Sequence, residues 1–308
     1  MMEEPKVPFY HSFLFWIGLA VIFVAVLMVL KSCDLGFDME GDKEVIIGRQ
    51  SIALNATEAN LSGQDIQDIS GLSQCTYLRS LDLSHSRVSD LTPLVGLENL
   101  TKLNLSNCQY MDEESWIALA KMTNLTELNL ENTGLEDLAC LTALKKLTSL
   151  NVKNNYLTEI TPLRDLTALT YLDLGQNDFV DCSVLSNLPK LTYLSLHNNQ
   201  LLSYDFLADL PNLTELYLSE NNLFNLDYLA NLTQLTDLYL YNNQISDLTA
   251  LNGLTNLQVL DLGSNQLTEV GSLAGLNKLV ELSLDNNAGI TSEQINVLQA
   301  ALPDCQIF

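Results

Sequence analysis

The residues that most often catalyse reactions or bind metals are sparse in this chain and far apart. It has three His and six Cys in 308 residues, and no Ser–His–acid arrangement or phosphate-binding loop stands out. His85 and His197 are separated by five units of a sequence repeat, or about 24 Å at about 4.8 Å per unit. Catalytic and metal centres need their side chains in mutual contact. We therefore expect no catalytic, cofactor-binding or metal-binding residues, and no enzyme activity.

A second group of chemically capable side chains combines aromatic rings with carboxylates. Tyr rings, which are apolar with a polar hydroxyl, are enriched in protein interfaces, and their faces attract Arg and Lys. The alternative is that Tyr simply packs well on a β-sheet surface. We predict a partner-binding surface made of Tyr171, Tyr193, His197, Glu215, Tyr217, Asp237, Tyr239 and Tyr241.

The element that must position these side chains is an internal repeat of 22 residues. Its template is L-x-x-L-x-L-x-x-N-x-L followed by Leu at every third position, and only the third interval between units, from Leu100 to Leu125, is longer. Eleven units start at Ala56, Leu78, Leu100, Leu125, Leu147, Leu169, Leu191, Leu213, Leu235, Leu257 and Leu279. Such self-similarity at a fixed period predicts a solenoid.

The spacing within one unit predicts its shape. The L-x-L pair has the period of a strand with one buried face, and the later Leu residues at spacing three suit a 3₁₀ return path. Neighbouring units must stack to bury their Leu side chains. The third, fifth and seventh positions, which include the predicted Tyr surface, then face the concave side of a parallel sheet.

The ninth position of the unit is Asn in the last seven repeats, from Asn155 to Asn287, and Ser86, Cys108 or Thr133 before them. A buried Asn there can hydrogen-bond the turn backbones of adjacent coils. We interpret these Asn residues as structural rather than functional.

These residues show a resemblance to leucine-rich-repeat proteins of the 22-residue bacterial type, such as the internalins, and to the phosphatase-regulatory class. The resemblance covers about 80% of the chain, and the ending from Ile290 to Phe308 resembles the closing segment of many bacterial members. It implies an α/β solenoid: a horseshoe with a concave parallel β-sheet and a convex side of short 3₁₀ or helical segments. Internalin-like adhesion and phosphatase regulation are only analogies for function.

The predicted organisation has six parts. They are a short tail (1–6), a transmembrane helix (7–31), an acidic linker (32–42), an N-terminal cap with a strand pair (43–55), about eleven repeats (56–290) and a C-terminal cap (291–308). The cap should contain a helix over about Ser292 to Ala301 and a last strand. In the long repeat, Asp112 should begin a helix on the convex side, with Ile117, Leu119 and Met122 facing inward; a separate docking element is the alternative for this segment.

The apolar run from Phe13 to Leu30 has no charged residue and is long enough to cross a bilayer. We favour an uncleaved anchor; cleavage as a lipoprotein at Cys33, or as an ordinary signal peptide, is the alternative. Similar chains place their repeats outside the cytosol, which implies a single-pass protein with extracytoplasmic repeats. The other five Cys fall at repeat positions that do not pair, so we expect free thiols, which should be buried at Cys75, Cys108, Cys182 and Cys305.

The charge balance narrows the partner. Lys and Arg total 14 against 38 Asp and Glu, a net charge of −24, which argues against nucleic acid. From Leu201 to Phe308 the only basic residue is Lys278. We expect a membrane-tethered module that binds a basic or polar protein or peptide on its concave face. The alternatives are a cell-envelope adhesin that binds carbohydrate, and a regulatory scaffold for an enzyme partner.

Overall fold

Each sequence repeat forms one coil of a solenoid in the computed structural model, which describes residues 43–308. Residues 44–308 form one unit. In most coils a strand of three residues spans the third to fifth repeat positions. The Leu at the centre of this strand is buried, and its two neighbours are not. The alternation follows the period-two geometry of a strand.

The strands form one parallel sheet of twelve, in which every strand pairs with its neighbours in chain order. Equivalent repeat positions lie side by side, as Leu216 does with Leu194 and Leu238. The strands of the described residues are β1 Glu44–Ile47, β2 Gln50–Ala53, β3 Glu58–Asn60, β4 Ser80–Asp82, β5 Lys102–Asn104, β6 Glu127–Asn129, β7 Ser149–Asn151, β8 Tyr171–Asp173, β9 Tyr193–Ser195, β10 Glu215–Tyr217, β11 Asp237–Tyr239, β12 Val259–Asp261, β13 Glu281–Ser283 and β14 Gln306–Ile307. The sheet runs from β3 to β14, which confirms the predicted parallel solenoid.

The return path of most coils is a 3₁₀ turn, as the spacing of three predicts. These turns are Ser70–Gln74, Thr92–Leu94, Ala139–Leu141, Thr161–Leu163, Ser183–Asn187, Asp205–Asp209, Asp227–Leu229, Thr249–Gly253 and Gly271–Gly275. Their Leu side chains join those of the strands in one continuous core, in which most are fully buried. Because a single coil exposes both of its faces, this core exists only in the stack.

The Asn ladder satisfies the backbone between successive coils. The Asn199 amide donates to the carbonyls of Leu174, Leu196 and His197 at 3.1–3.3 Å, and its oxygen accepts from the Phe179 N–H at 3.1 Å. The same pattern recurs at Asn155, Asn177, Asn243 and Asn265. The structural role predicted for these residues is confirmed.

One backbone feature of the coil was not predicted. The residue just before the ninth position has a φ between 51° and 62° in ten successive coils, from His85 to Asn286. Six of the ten are Asn, which tolerates this left-handed conformation better than most residues. The chain turns out of the sheet at this residue in every one of these coils.

The long repeat carries the α-helix α1, Glu113–Leu119. Asp112 begins it, since its carboxylate accepts the Ser115 N–H at 2.9 Å. Leu119 and Met122 face inward as predicted, but the prediction for Ile117 is wrong because 52% of this residue is exposed. The buried face of the helix runs through Ser115, Ala118 and Leu119. At about 100° per residue, Ile117 lies about 100° from Ala118 and about 160° from Ser115 around the helix axis, so its side chain points away from this face.

Both ends of the solenoid are covered. At the start, β1 and β2 form an antiparallel hairpin whose Val45, Ile47 and Ile52 are buried. At the end, helix α2 spans Ser292–Ala301, begins with a capping box between Thr291 and Gln294, and leads to β14. These two caps cover the end faces of the core, which would otherwise be exposed to water.

The predicted tail, transmembrane helix and linker, together with Cys33, lie outside the described residues. Among residues 43–308, no helix is long and apolar enough to cross a membrane. The five Cys of the same segment are all free and buried. This confirms the expectation of free thiols and extends it to Cys140, which the sequence did not place in the core.

Candidate functional site

Four of the predicted tyrosines form one continuous ladder across β8–β11. The rings of Tyr171 and Tyr193 stack with centroids 4.1 Å apart, and those of Tyr217 and Tyr239 stack at 4.4 Å and 5° between planes. Tyr193 and Tyr217 connect the two pairs at 5.2 Å and 40°. We call these four residues the tyrosine ladder.

The ladder steps sideways between β9 and β10. Tyr171 and Tyr193 occupy the third repeat position, whereas Tyr217 and Tyr239 occupy the fifth. Tyr217 is paired in the sheet with Ser195, whose small side chain leaves the ring free to lean toward Tyr193. The aromatic surface therefore crosses the strands obliquely, with each ring resting on the next.

In most coils the side chain at the fifth repeat position forms a hydrogen bond with the backbone of its own turn, but Tyr217 and Tyr239 of the tyrosine ladder do not. In seven coils an Asn or Asp there accepts a hydrogen bond from the backbone N–H two residues later; these residues are Asn60, Asp82, Asn104, Asn129, Asn151, Asp173 and Asp261. A Tyr side chain cannot make this local turn. Tyr217 and Tyr239 thus replace a stabilising backbone contact by a ring on the surface.

His197 lies next to the ladder in a space that a glycine provides. Its Nδ1 is 2.8 Å from the hydroxyl of Ser195, which is fully buried. A Cβ placed on Gly175 would be 2.1 Å from the imidazole Cε1, so the ring fits only because Gly175 has no side chain. Burial lowers the pKa of His197; Asp173 raises this pKa in part and Lys153 lowers it further.

Tyr241 also occupies a space left by a glycine, but this glycine lies in the following coil and not in the preceding one. Its ring lies over Gly263 in the following coil, where an added Cβ would be 3.0 Å from the ring carbon Cδ2. It is more exposed than the ladder, and no ring–ring contact of Tyr241 is found within residues 43–308. The structure therefore brings four of the five predicted tyrosines into contact and sets Tyr241 at the margin.

Two predicted carboxylates lie beside the ladder. The Tyr217 hydroxyl donates to Glu215 at 3.4 Å, and the Thr236 hydroxyl donates to Asp237 at 2.5 Å. Burial, followed by the charges of the neighbouring carboxylates, raises the pKa of Tyr239, and burial also raises that of Tyr171. The hydroxyls are therefore neutral donors at physiological pH, next to a negative field.

The first half of the concave face is different in kind. A polar hollow of about 380 Å³ runs over β4–β7 and ends at Tyr171. Two of its charges are paired within the sheet, since Lys102 Nζ lies 2.8 Å from Glu127. Asn151 likewise donates to Glu131 at 3.4 Å. These polar side chains of the first half already have partners within the sheet.

Sequence reasoning missed Gly175, Gly263 and Ser195 as residues that shape the site. A signal was present: the seventh repeat position is Gly only in the coils next to His197 or Tyr241. A large ring beside a missing side chain at equivalent positions of neighbouring coils indicates that the ring fills the gap. Within residues 43–308, no group of three or more His, Cys, Asp or Glu side chains could hold a metal ion.

Three family models match this chain. The model described as Leucine rich repeat matches residues 145–201 and 233–288, and Leucine Rich repeats (2 copies) matches 189–231 and 211–253. The model described as Endo-beta-N-acetylglucosaminidase EndoS LRR domain matches residues 42–155. The matches together extend from residue 42 to residue 288. No curated protein matches the chain in sequence.

Solved structures agree with these matches. An internalin (inlF) from Listeria monocytogenes is 29% identical with a TM-score of 0.74, over 84% of this chain and 82% of the internalin. The ectodomain of the plant membrane receptor kinase GASSHO1/SCHENGEN3 from Arabidopsis thaliana, in complex with CASPARIAN STRIP INTEGRITY FACTOR 2, is 25% identical with a TM-score of 0.62. That match covers 76% of this chain but only 30% of the plant ectodomain.

Leucine-rich-repeat domains generally bind proteins or peptides, and this fold is that of an interaction module. The family matches cover the repeats from end to end, and the sheet has the expected register. The chain is therefore a leucine-rich-repeat protein, and its repeats are similar to those of an internalin from Listeria monocytogenes.

Proposed function

We propose that this protein is a membrane-tethered module that binds a basic or polar segment of a partner protein on its concave face and performs no reaction. The partner lies across the tyrosine ladder, with His197 and Tyr241 at its margins. The anchor is the apolar segment 7–31, and the repeats are extracytoplasmic. The tether rests on the sequence, and the binding site rests on the geometry of β8–β11.

The observation that carries this proposal is the exchange at the fifth repeat position. Seven coils keep an Asn or Asp that bonds the backbone there, whereas Tyr217 and Tyr239 give up that bond. Each such bond is worth about 1 kcal/mol. The contacts between the rings only offset the lost bonds, so selection for stability alone does not favour the exchange. Binding supplies a reason for it.

The chemistry around the ladder favours a basic partner. Glu215 and Asp237 lie beside the rings, and the segment from Leu201 to Phe308 has 13 acidic residues and one basic residue. A guanidinium that stacks on Tyr239 gains a cation–π contact and remains close to a carboxylate. The field of the acidic half also accelerates the approach of a cationic partner.

The test is a pull-down from envelope or host extract with the full chain in detergent. The variant Tyr217→Asn with Tyr239→Asn removes half of the ladder while restoring the side chain that the coil uses elsewhere. The matched control is Tyr77→Asn with Tyr156→Asn, which makes the same change at two exposed tyrosines outside the concave face. Circular dichroism must first show that all three proteins are equally folded.

We expect a protein that the wild type and the control retain and the ladder variant loses. Raising the salt from about 0.05 M to about 0.5 M should release it, because the Debye length shrinks several-fold. Equal retention by all three proteins would place the site elsewhere. Retention that resists salt but yields to a neutral glycan would contradict the basic partner and support carbohydrate binding.

The location has a separate test. Protease added to intact cells should digest the repeats if they are extracytoplasmic, and the digestion should not require lysis. Protection of the repeats until the cells are lysed would contradict this placement and would favour the scaffold of an intracellular enzyme.

A further inference from the structure

The long repeat creates a cavity on the convex side, away from the concave surface. Here α1 provides two α-helical turns where the neighbouring coils have 3₁₀ turns of three residues. On the side of the preceding coil the helix is firmly seated. Ser115 donates to the Ser89 carbonyl at 2.5 Å and accepts the Leu91 N–H at 3.2 Å.

On the side of the following coil the helix has no such fit. A cavity of about 570 Å³ separates it from the turn Ala139–Leu141. The far wall includes the small residues Gly134, Ala139 and Cys140, and a Cβ added to Gly134 would meet nothing within 4 Å. A wide helix next to a narrow turn with small side chains leaves this space. Its volume lies within the range of about 300–1,000 Å³ that is typical of ligand-binding pockets.

The helix lines this cavity with apolar side chains. Met111 and Trp116 are partly buried against the core, and Ile117 is exposed at the rim. The outward position of Ile117, where the sequence predicted burial, is therefore part of the cavity wall. A Trp and an Ile that face an open hollow are the kind of side chains that become interface hot spots when covered.

The charge around the cavity selects the occupant. Glu113, Glu136 and Asp137 belong to its lining, which contains no Lys or Arg. Asp137 uses one oxygen to accept the Ala139 N–H at 2.8 Å, and its side chain is exposed. A second copy of the chain would bring a net charge of −24 against these carboxylates. Electrostatic complementarity instead favours a cationic segment.

We propose that this cavity is a second docking site, which takes an apolar side chain of a partner protein flanked by Lys or Arg. The apolar side chain enters between Trp116 and the turn Ala139–Leu141. The basic residues reach Glu113 on one side and Glu136 on the other. The site does not depend on the tyrosine ladder, because it lies on the return path of the coils rather than on the sheet.

Trp116 provides a direct reporter for this proposal. The chain has two Trp, so Trp16→Phe leaves Trp116 as the single indole. The probe is a short synthetic peptide with two leucines between arginines, titrated into the full chain in detergent. We expect a saturable blue shift of the emission, because the peptide displaces water from the indole. A peptide with glutamates in place of the arginines should give no saturable shift.

Three variants in the same Trp16→Phe background locate the binding. Ala139→Phe fills the cavity from an exposed position, and its matched control is Ala143→Phe, which changes an exposed Ala outside the lining. We expect about a tenfold or greater loss of affinity for the first and none for the second. Glu113→Gln with Glu136→Gln removes charge but not volume, and should weaken binding about five- to tenfold at low salt.

Three results would overturn the proposal. One is the absence of a saturable shift with the arginine peptide. Another is equal affinity of the Ala139→Phe and Ala143→Phe proteins, which would place the peptide elsewhere. The third is a dimer in sedimentation that Ala139→Phe abolishes, since the cavity would then hold a second copy. None of these results bears on the tyrosine ladder, and all can be obtained with the ladder intact.

Discussion

The two halves of the repeat array share one backbone plan but use it differently. In the first half, β4–β7 have Asn or Asp at the fifth repeat position, and Lys102 pairs with Glu127. The ninth position there is Ser86, Cys108 or Thr133 before Asn155. In the second half, Asn occupies the ninth position of every coil while β8–β11 present aromatic rings.

The difference shows which part of each coil is free to change. The ninth position is buried and bonds two coils at once, so its side chain is dictated by the fold wherever Asn is present. The fifth position bonds only its own turn, and the coil survives without it. Function can therefore be placed on the fifth and third positions at little loss of stability. The strong Asn ladder beneath β8–β11 supports this exchange.

The largest loss of stability should come from removing one residue of the Asn ladder in the second half of the repeat array. Asn199→Ala removes three donated hydrogen bonds and one accepted hydrogen bond in the core. We expect a loss of about 3–4 kcal/mol in the free energy of unfolding, because the buried backbone partners are left unsatisfied. Urea denaturation measures it. Ser86→Ala in the first half should lose about 1 kcal/mol, and equal losses would contradict the distinction.

A smaller effect is expected where His197 occupies the space above Gly175. Gly175→Ala places a Cβ within the imidazole, so the ring must move and the protein should lose about 1–2 kcal/mol. Thermal unfolding measures this loss. Gly271→Ala is the matched control, because an added Cβ there meets nothing within 4 Å. A variant as stable as this control would mean that the imidazole does not need the gap.

The pH dependence of His197 should give a smaller change again. Burial lowers the pKa of this side chain, so the folded state favours the neutral ring. Its contribution to stability is complete above the unfolded pKa of about 6.5 and is lost as the pH falls through the lower folded value. Unfolding at several pH values between about 7 and 4, compared with His197→Gln, isolates the effect. A His197→Gln protein with the same acid sensitivity would contradict it.

The smallest change in stability is expected when the second half is converted to the pattern of the first. Tyr217→Asn with Tyr239→Asn should leave the free energy of unfolding within about 1 kcal/mol of the wild type. Two recovered turn bonds, worth about 1 kcal/mol each, offset the lost ring contacts of about 0.5–1.5 kcal/mol each. Denaturation in urea measures this balance. A loss above about 3 kcal/mol would show that the rings are structural.

Much of the molecule could be predicted because its repeat makes each inference eleven-fold redundant. The strand positions, the 3₁₀ returns and the Asn ladder follow from spacing alone, whereas the helix over Ser292–Ala301 was predicted from the resemblance of the closing segment. The site was predictable only as a set of positions on one face. Neither the stacking of Tyr193 on Tyr217 nor the fit of His197 over Gly175 has a signature in a single repeat. These contacts join neighbouring coils and depend on how rings lean.

Ile117 shows the same limit in the other direction. Its apolar character predicted burial, but the face of a two-turn helix that meets the core depends on where Asp112 begins the helix and where Ser115 is anchored. A one-residue shift in that start rotates every side chain by about 100°. Local pattern is a weak guide where the repeat is interrupted.

The sequence by itself determined the solenoid, its register and its internal hydrogen-bonding ladder, because a period of 22 residues leaves one way to bury the leucines. Only the tertiary structure decided which tyrosines touch, which glycine admits His197, and that α1 fits the coil before it but not the coil after it. The physical reason is that burial depends on composition and period, whereas a binding surface depends on the shapes left over when unequal neighbours are stacked.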